Sequence, residues 1–156
     1  MIICVEGNIG AGKTCLLDTL ERGGYTVVRQ PRIWQTLVLF DDPAFLQCAV
    51  LAWYVLVGKT HAGARIVFVE RSPASAHHVF TPGCVFDAAT ASAYQRLLIE
   101  ANRVLVPSAY FFLDACPSEC AERLRLRGCL PELALLDSRY WALAFSLGAS
   151  GTWCVV

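Results

Sequence analysis

Apolar residues fall along this chain in two alternating rhythms. Short, nearly unbroken apolar and β-branched runs stand at 2–6 (IICVE), 25–29 (YTVVR), 64–70 (ARIVFVE), 109–114 (AYFFLD) and 152–156 (TWCVV). Between them lie longer stretches that read as helices: 13–22, a largely apolar 43–58, and an amphipathic 88–106 that Pro107 closes. A further helix begins after Pro117, with Ser118 and Glu119 in its first turn, and runs through CAERLRLR; the last covers about 132–147 and ends near Gly148. Strands separated by helices predict a parallel α/β sheet, and the unbroken apolar character of the strands requires helices over both of its faces. The 156 residues suit one domain with one sizeable core. Without repeats or linkers, the expected fold is a single three-layer α/β domain over residues 1–156.

Composition narrows the class of function. Thirteen Lys plus Arg balance thirteen Asp plus Glu, so the whole molecule carries no field suited to nucleic acid or a membrane surface, and neither is expected as a partner. The longest apolar stretch, 45–57, contains Gln47 and falls short of the ~20 residues a membrane helix needs, so a buried helix is expected there. No leader pattern opens the chain, and a cytoplasmic location is the expectation. Eight cysteines at 4, 15, 48, 84, 116, 120, 129 and 154 form no CxxC pair and are expected to be reduced. Cys116 and Cys120 are spaced to share a helix face, but no paired histidines accompany them, which argues against a metal site.

The sharpest local signal is GNIGAGKT at 7–14, between the first strand and the first helix. As GxxxxGK[ST] it supplies Gly7, Gly12, Lys13 and Thr14 in the strand–loop–helix context of a phosphate-binding loop. Backbone N–H groups of Gly7, Asn8, Ile9, Gly10, Ala11 and Gly12 can converge on phosphate oxygens, helped by the positive end of the helix. Lys13 would reach the outer phosphates and the Thr14 hydroxyl would ligate Mg²⁺. No NKxD or DxxG run suggests a signalling GTPase, and too few residues remain for a motor.

Three motifs in order, EGNIGAGKT (6–14), VERS (69–72) and CAERLRLRG (120–128), make the chain resemble the deoxynucleoside kinase family, which includes deoxycytidine, deoxyguanosine and mitochondrial thymidine kinases, the broader insect enzyme and viral relatives. The resemblance runs from residue 2 to about 145 and the terminal strand fits it too. It implies a five-stranded parallel sheet wrapped in helices and transfer of the γ-phosphoryl of ATP to a nucleoside 5′-hydroxyl. It also implies that Glu70 helps hold Mg²⁺ and that Arg71 stabilises charge near the reacting oxygen; a surface ion pair is the plain alternative. Arg123, Arg125 and Arg127 alternate at spacing two around a helix end, as a lid over the nucleotide's phosphates would need, with a solvated basic helix as the alternative. Of these, Arg127 is the first choice for catalysis, and Glu132 falls where the family places a carboxylate that reads the sugar 3′-hydroxyl.

Gln47 sits in the most apolar helix, where an unpaired amide would cost about 1–3 kcal/mol, so a partner is expected. By resemblance it hydrogen-bonds the nucleobase; otherwise it is a buried glutamine bonded to backbone. Trp34, Phe45, Trp53 and Phe80 could wall the base or equally belong to the core. His77 and His78 read as ordinary helix residues, and VFTPGCVF (79–86) as a turn whose brevity suggests a trimmed region over the substrate.

The chain departs from the family at the acceptor end. Where relatives carry a Glu-Pro pair whose glutamate serves as base, this sequence reads RQPRIW, so Gln30 stands before Pro31, with Trp34 one residue closer than usual. An amide can orient a hydroxyl but cannot accept its proton, which removes a contribution of about 10²–10⁴-fold unless Asp41 or Asp42 substitutes. Phe40 replaces the tyrosine that assists 3′-hydroxyl recognition, and Cys129 stands where a further lid arginine could be. The leading expectation is a compact nucleoside kinase using Mg-ATP, compatible with a viral origin and with a homodimer formed through helices beside the sheet. The alternatives are a thymidylate-type nucleoside monophosphate kinase and a catalytically impaired nucleotide-binding relative that acts through protein contacts.

Overall fold

The computed structural model describes residues 1–31, 42–125, 133–148 and 153–155. Five parallel strands, β1 (Ile2–Gly7), β2 (Thr26–Val28), β3 (Val67–Glu70), β4 (Ala109–Leu113) and β5 (Trp153–Val155), lie in the order β2-β3-β1-β4-β5. The helices between them are α1 (Lys13–Arg22), α2 (Pro43–Thr60), a single turn α3 (Pro73–Ser75), α4 (Ala88–Val104), α5 (Pro117–Arg125) and α6 (Leu133–Gly148).

Strand β1 is central and buried throughout, paired with β3 through Cys4↔Val69 and with β4 through Val5↔Phe111. Side chains alternate between the two faces with the strand period of two. Cys4, Val67 and Val69 pack with Leu51, Tyr54 and Val57 of α2 and Tyr94 and Ala101 of α4. On the opposite face Ile3, Val5 and Phe68 pack against Leu17 of α1. Both faces are therefore dry, which explains why the strands read as continuous apolar runs rather than as alternating ones.

Several boundaries are tighter than the sequence pattern suggests. Strand β2 keeps only three residues and β3 starts at Val67; residues 64–65 just before it accept the Met1 ammonium, which donates to Ala64 O and Arg65 O at 3.1 and 3.0 Å. His77 and His78 lie in a π-helical turn, Ala76–Phe80, that continues α3 rather than in an ordinary helix. Cys116 precedes α5 and is exposed while Cys120 is buried, so the two do not share a helix face. The described cysteines are free thiols, as expected. Asp42 caps α2, its Oδ1 accepting from Phe45 N at 2.9 Å, so one oxygen of this carboxylate is engaged at the helix end.

Helix α2 is long and apolar enough to cross a membrane by composition alone. Its buried positions, 44, 47, 50, 51, 54, 57 and 58, recur at three- and four-residue spacing, so one stripe packs on the sheet and on α4. At Gly58 the backbones come so close that a Cβ would stand 2.7 Å from Val104 C and O.

Candidate active site

The carboxyl ends of β1 and β3 meet where the chain leaves the sheet for α1 and α3. The loop after β1 turns through glycines with positive φ, Gly7 (134°), Gly10 (87°) and Gly12 (100°). At Gly7 no side chain fits, since a Cβ would stand 2.7 Å from Leu113 O of β4. Asn8 is buried and turned inward: its Oδ1 accepts from Ile9 N at 2.8 Å and its Nδ2 donates to Asp137 of α6 at 3.4 Å. Only the backbone of Asn8 is thus presented by the loop. Ala11 packs with Cys120 and Leu124, which seats the loop on α5.

Lys13 opens α1 but folds back across the loop, its Nζ donating to Gly7 O at 2.8 Å and Asn8 O at 2.7 Å. Burial holds its ammonium well below the usual lysine range, and the neighbouring Arg71 charge adds to this. Arg71 Nη1 approaches the same Gly7 carbonyl, at 3.4 Å. Two cations from different elements therefore converge on one loop carbonyl. Arg71 is the one described non-glycine residue with positive φ, 65°, and its N–H donates to Val5 O at 2.9 Å. That backbone turn sends the guanidinium under the loop, 4.7 Å from the Phe80 ring centre and 5.5 Å from that of Tyr140.

Behind these cations lies Glu6, 1% exposed. Its Oε1 accepts the Ser72 hydroxyl at 2.5 Å, and its Oε2 has no hydrogen-bond partner among the described residues. Burial pushes the carboxyl up to about 7, against the downward pull of Ser72, Arg71 and Lys13. Ser72 in turn caps α3 in a reciprocal pair with Ser75.

On the other side of β3, Glu70 Oε2 accepts the Gln30 backbone N–H at 3.2 Å, and Gln30 Nε2 donates to the Tyr54 hydroxyl at 2.9 Å. Tyr54 lies two turns beyond Gln47 along the buried stripe of α2. Gln47 is 8% exposed, and among the described residues no side chain or backbone group bonds its amide, so the alternative of a glutamine bonded to backbone is not what they show.

The expected lid arginines separate. Arg123 reaches the loop, Nη1 donating to Gly10 O at 2.9 Å, while Arg125 is not brought there and instead pairs with Glu122 on the exposed side of α5. Phe45, expected as a wall for the base or as core, is 60% exposed and is not core; Phe80 packs on Arg71, and Trp53 on Tyr54 with ring centres 4.8 Å apart. Trp34, Phe40, Asp41, Arg127, Cys129 and Glu132 lie outside the described residues.

This geometry coincides with a family match. The model of the family described as deoxynucleoside kinase covers residues 3–143. The chain belongs to the deoxynucleoside kinase family. A candidate deoxynucleoside kinase of Frog virus 3 (isolate Goorha) is 30% identical over 146 residues, spanning 81% of this chain and 70% of that protein. Solved structures of deoxyadenosine kinase from M. mycoides show the same fold. One holds dATP (TM-score 0.74, 16% identity) and another its products dCMP and dCDP (TM-score 0.73, 17% identity); each comparison covers 100% of this chain and 90% of the other. As a deoxynucleoside kinase the chain is a phosphotransferase with ATP as donor and a nucleoside as acceptor.

Sequence reasoning missed Glu6, Ser72, Tyr54 and Tyr140. A lone acid ending the apolar run IICVE was a usable signal for Glu6, since a carboxylate in a fully covered strand must find a donor. Tyr54 and Tyr140 gave none, because an aromatic in an apolar helix reads as core.

Proposed function

We propose that this kinase transfers the γ-phosphoryl of Mg-ATP to the 5′-hydroxyl of a deoxynucleoside, with the phosphates on the 7–14 loop and the nucleoside between Gln47 of α2 and Gln30 at the carboxyl edge of the sheet. The observation that carries the reading is the convergence of Lys13 and Arg71 on Gly7 O, 2.8 and 3.4 Å away, at the carboxyl edge of the sheet. Two buried cations beside backbone N–H donors suit a group that gains and redistributes negative charge. Thr14 and Glu70 offer hard oxygen donors of the kind Mg²⁺ accepts alongside phosphate and water, and they are the residues that would hold it. When bound, the ion would neutralise charge on the outer phosphates.

Along α2, Tyr54 stands seven positions after Gln47, about 10 Å of helix, comparable to the reach of a nucleoside from base edge to 5′-oxygen. Gln47 would read the base with its amide. Arg123, held against Gly10 O, would close on the phosphates from α5. Arg127 and Glu132 keep the roles that the family resemblance implies for them.

The deciding assay incubates the purified protein with labelled ATP, Mg²⁺ and each of the four deoxynucleosides. Formation of a 5′-monophosphate from at least one is the expected result. Binding of an ATP analogue without product from any of them would instead support the second reading, a catalytically impaired relative, which Gln30 at the expected base position favours.

A further inference from the structure

Tyr54 is fully buried and has a single proton to give. Its hydroxyl lies 3.4 Å from Glu70 O, which can only accept, so the tyrosine oxygen turns its lone pairs to Gln30 Nε2 at 2.9 Å. The chemistry thereby sets the amide's orientation: the NH₂ faces Tyr54 and the carbonyl Oε1 faces away. The Gln30 backbone N–H is tied to Glu70 Oε2 at 3.2 Å, so main chain and side chain are both referred to the last residue of β3. Among the described residues none donates to Gln30 Oε1.

We propose that Tyr54 is a positioning residue that presents Gln30 Oε1 as the acceptor for the nucleoside 5′-hydroxyl, and that transfer here proceeds without a protein base at that point. The inference rests on the activity proposed above. In a loose transition state the incoming oxygen has formed little of its new bond, so orientation matters more than early loss of its proton. The bond from the 5′-oxygen to the γ-phosphorus forms as the bond from that phosphorus to the β,γ-bridging oxygen breaks. The released electron pair leaves on ADP, and the hydroxyl proton passes to a non-bridging oxygen of the transferred phosphoryl. Gln30 needs only to hold the hydroxyl so that its lone pair faces phosphorus.

The test compares wild type, Tyr54→Phe, Gln30→Met, their double variant and Gln30→Glu in steady-state phosphorylation of the preferred deoxynucleoside, with thermal midpoints measured alongside. Tyr54→Phe should lower kcat about fivefold, the worth of one hydrogen bond, at unchanged KM for ATP. The double variant should be no slower than Gln30→Met, since Tyr54 acts only through Gln30. Gln30→Glu, which restores a proton acceptor, should raise kcat. Unchanged kcat in Tyr54→Phe, effects that multiply in the double variant, or a rate in Gln30→Glu no higher than wild type would overturn the proposal. Should Tyr54→Phe fail to fold, Gln30→Met alone decides, an unchanged kcat again overturning it. Wild type without turnover on any of the four deoxynucleosides defeats the proposed activity itself, a result visible before any variant is compared.

Discussion

The Ser72 hydroxyl donates to Glu6 Oε1 at 2.5 Å, joining the end of β1 to the segment that follows β3. Through this bond the strand that launches the phosphate loop is fixed to the strand that launches Arg71. The second carboxyl oxygen of Glu6 has no hydrogen-bond partner among the described residues and the group is wholly buried, so its charged form is disfavoured even with Arg71 and Lys13 nearby.

That burial makes stability depend on pH. Glu6 titrates near 7 in the folded protein against an ordinary value of 4.5, so between these pH values the folded state holds a proton that the unfolded state has lost. Stability is therefore fully present below about 4.5 and falls as pH rises through about 7, by roughly 3 kcal/mol in all. Glu6→Gln, which mimics the protonated form, should flatten this limb and raise the thermal midpoint at pH 8 while leaving it nearly unchanged at pH 5. An equal drop at both pH values would show that Glu6 acts through packing and not through its charge.

Much of the architecture was legible because its determinants are local. Continuous apolar runs need two covered faces, and the loop's glycines need positive φ, so five strands and the phosphate cradle followed from neighbours in sequence. Contacts across the sheet were not legible in the same way. Nothing near residue 6 reveals that Ser72 will meet it, and nothing in RQPRIW reveals that Gln30 will face Tyr54, 24 positions away. Arg125 is a different case, a local one: its spacing suited a lid, but Glu122, three residues earlier, captures it on the exposed face.

Gly58 marks where α2 and α4 touch. A methyl group there would stand 2.7 Å from Val104 C and O, and backbone cannot rotate aside as a side chain would. Gly58→Ala gains up to about 1 kcal/mol in helix propensity but must push the helices apart, an overpacking cost of about 1–3 kcal/mol that should prevail against rigid backbone. Denaturant titration should show a lower midpoint, and a variant as stable as wild type would mean that the two helices part easily.

Arg71 combines a strained backbone with a guanidinium gripped between two rings. Arg71→Lys keeps the charge but loses the planar fork that stacks on Phe80 and Tyr140 and spans neighbouring oxygens. If the group stabilises charge during transfer, kcat should fall by about 10²–10³-fold with a much smaller change in ATP affinity. Steady-state kinetics beside a binding isotherm for an ATP analogue separates the two quantities, and a near-normal kcat would assign Arg71 to the fold alone.

Gln47 offers the cleanest separation of function from stability. The residue is 8% exposed in an apolar helix, and no described residue bonds its amide, so the fold gains no hydrogen bond from it. Gln47→Leu has similar volume and removes no hydrogen bond within the described residues, so the thermal midpoint should hold or rise. A base edge that has lost its amide partner should bind more weakly, raising KM for the nucleoside by about tenfold or more, since one bidentate amide-to-base pair is worth about 1–3 kcal/mol. The KM for ATP should not move, because no hydrogen bond or core cluster among the described residues joins Gln47 to the 7–14 loop. A variant that is less stable and unchanged in nucleoside KM would identify Gln47 as a structural amide and shift base recognition elsewhere on the molecule.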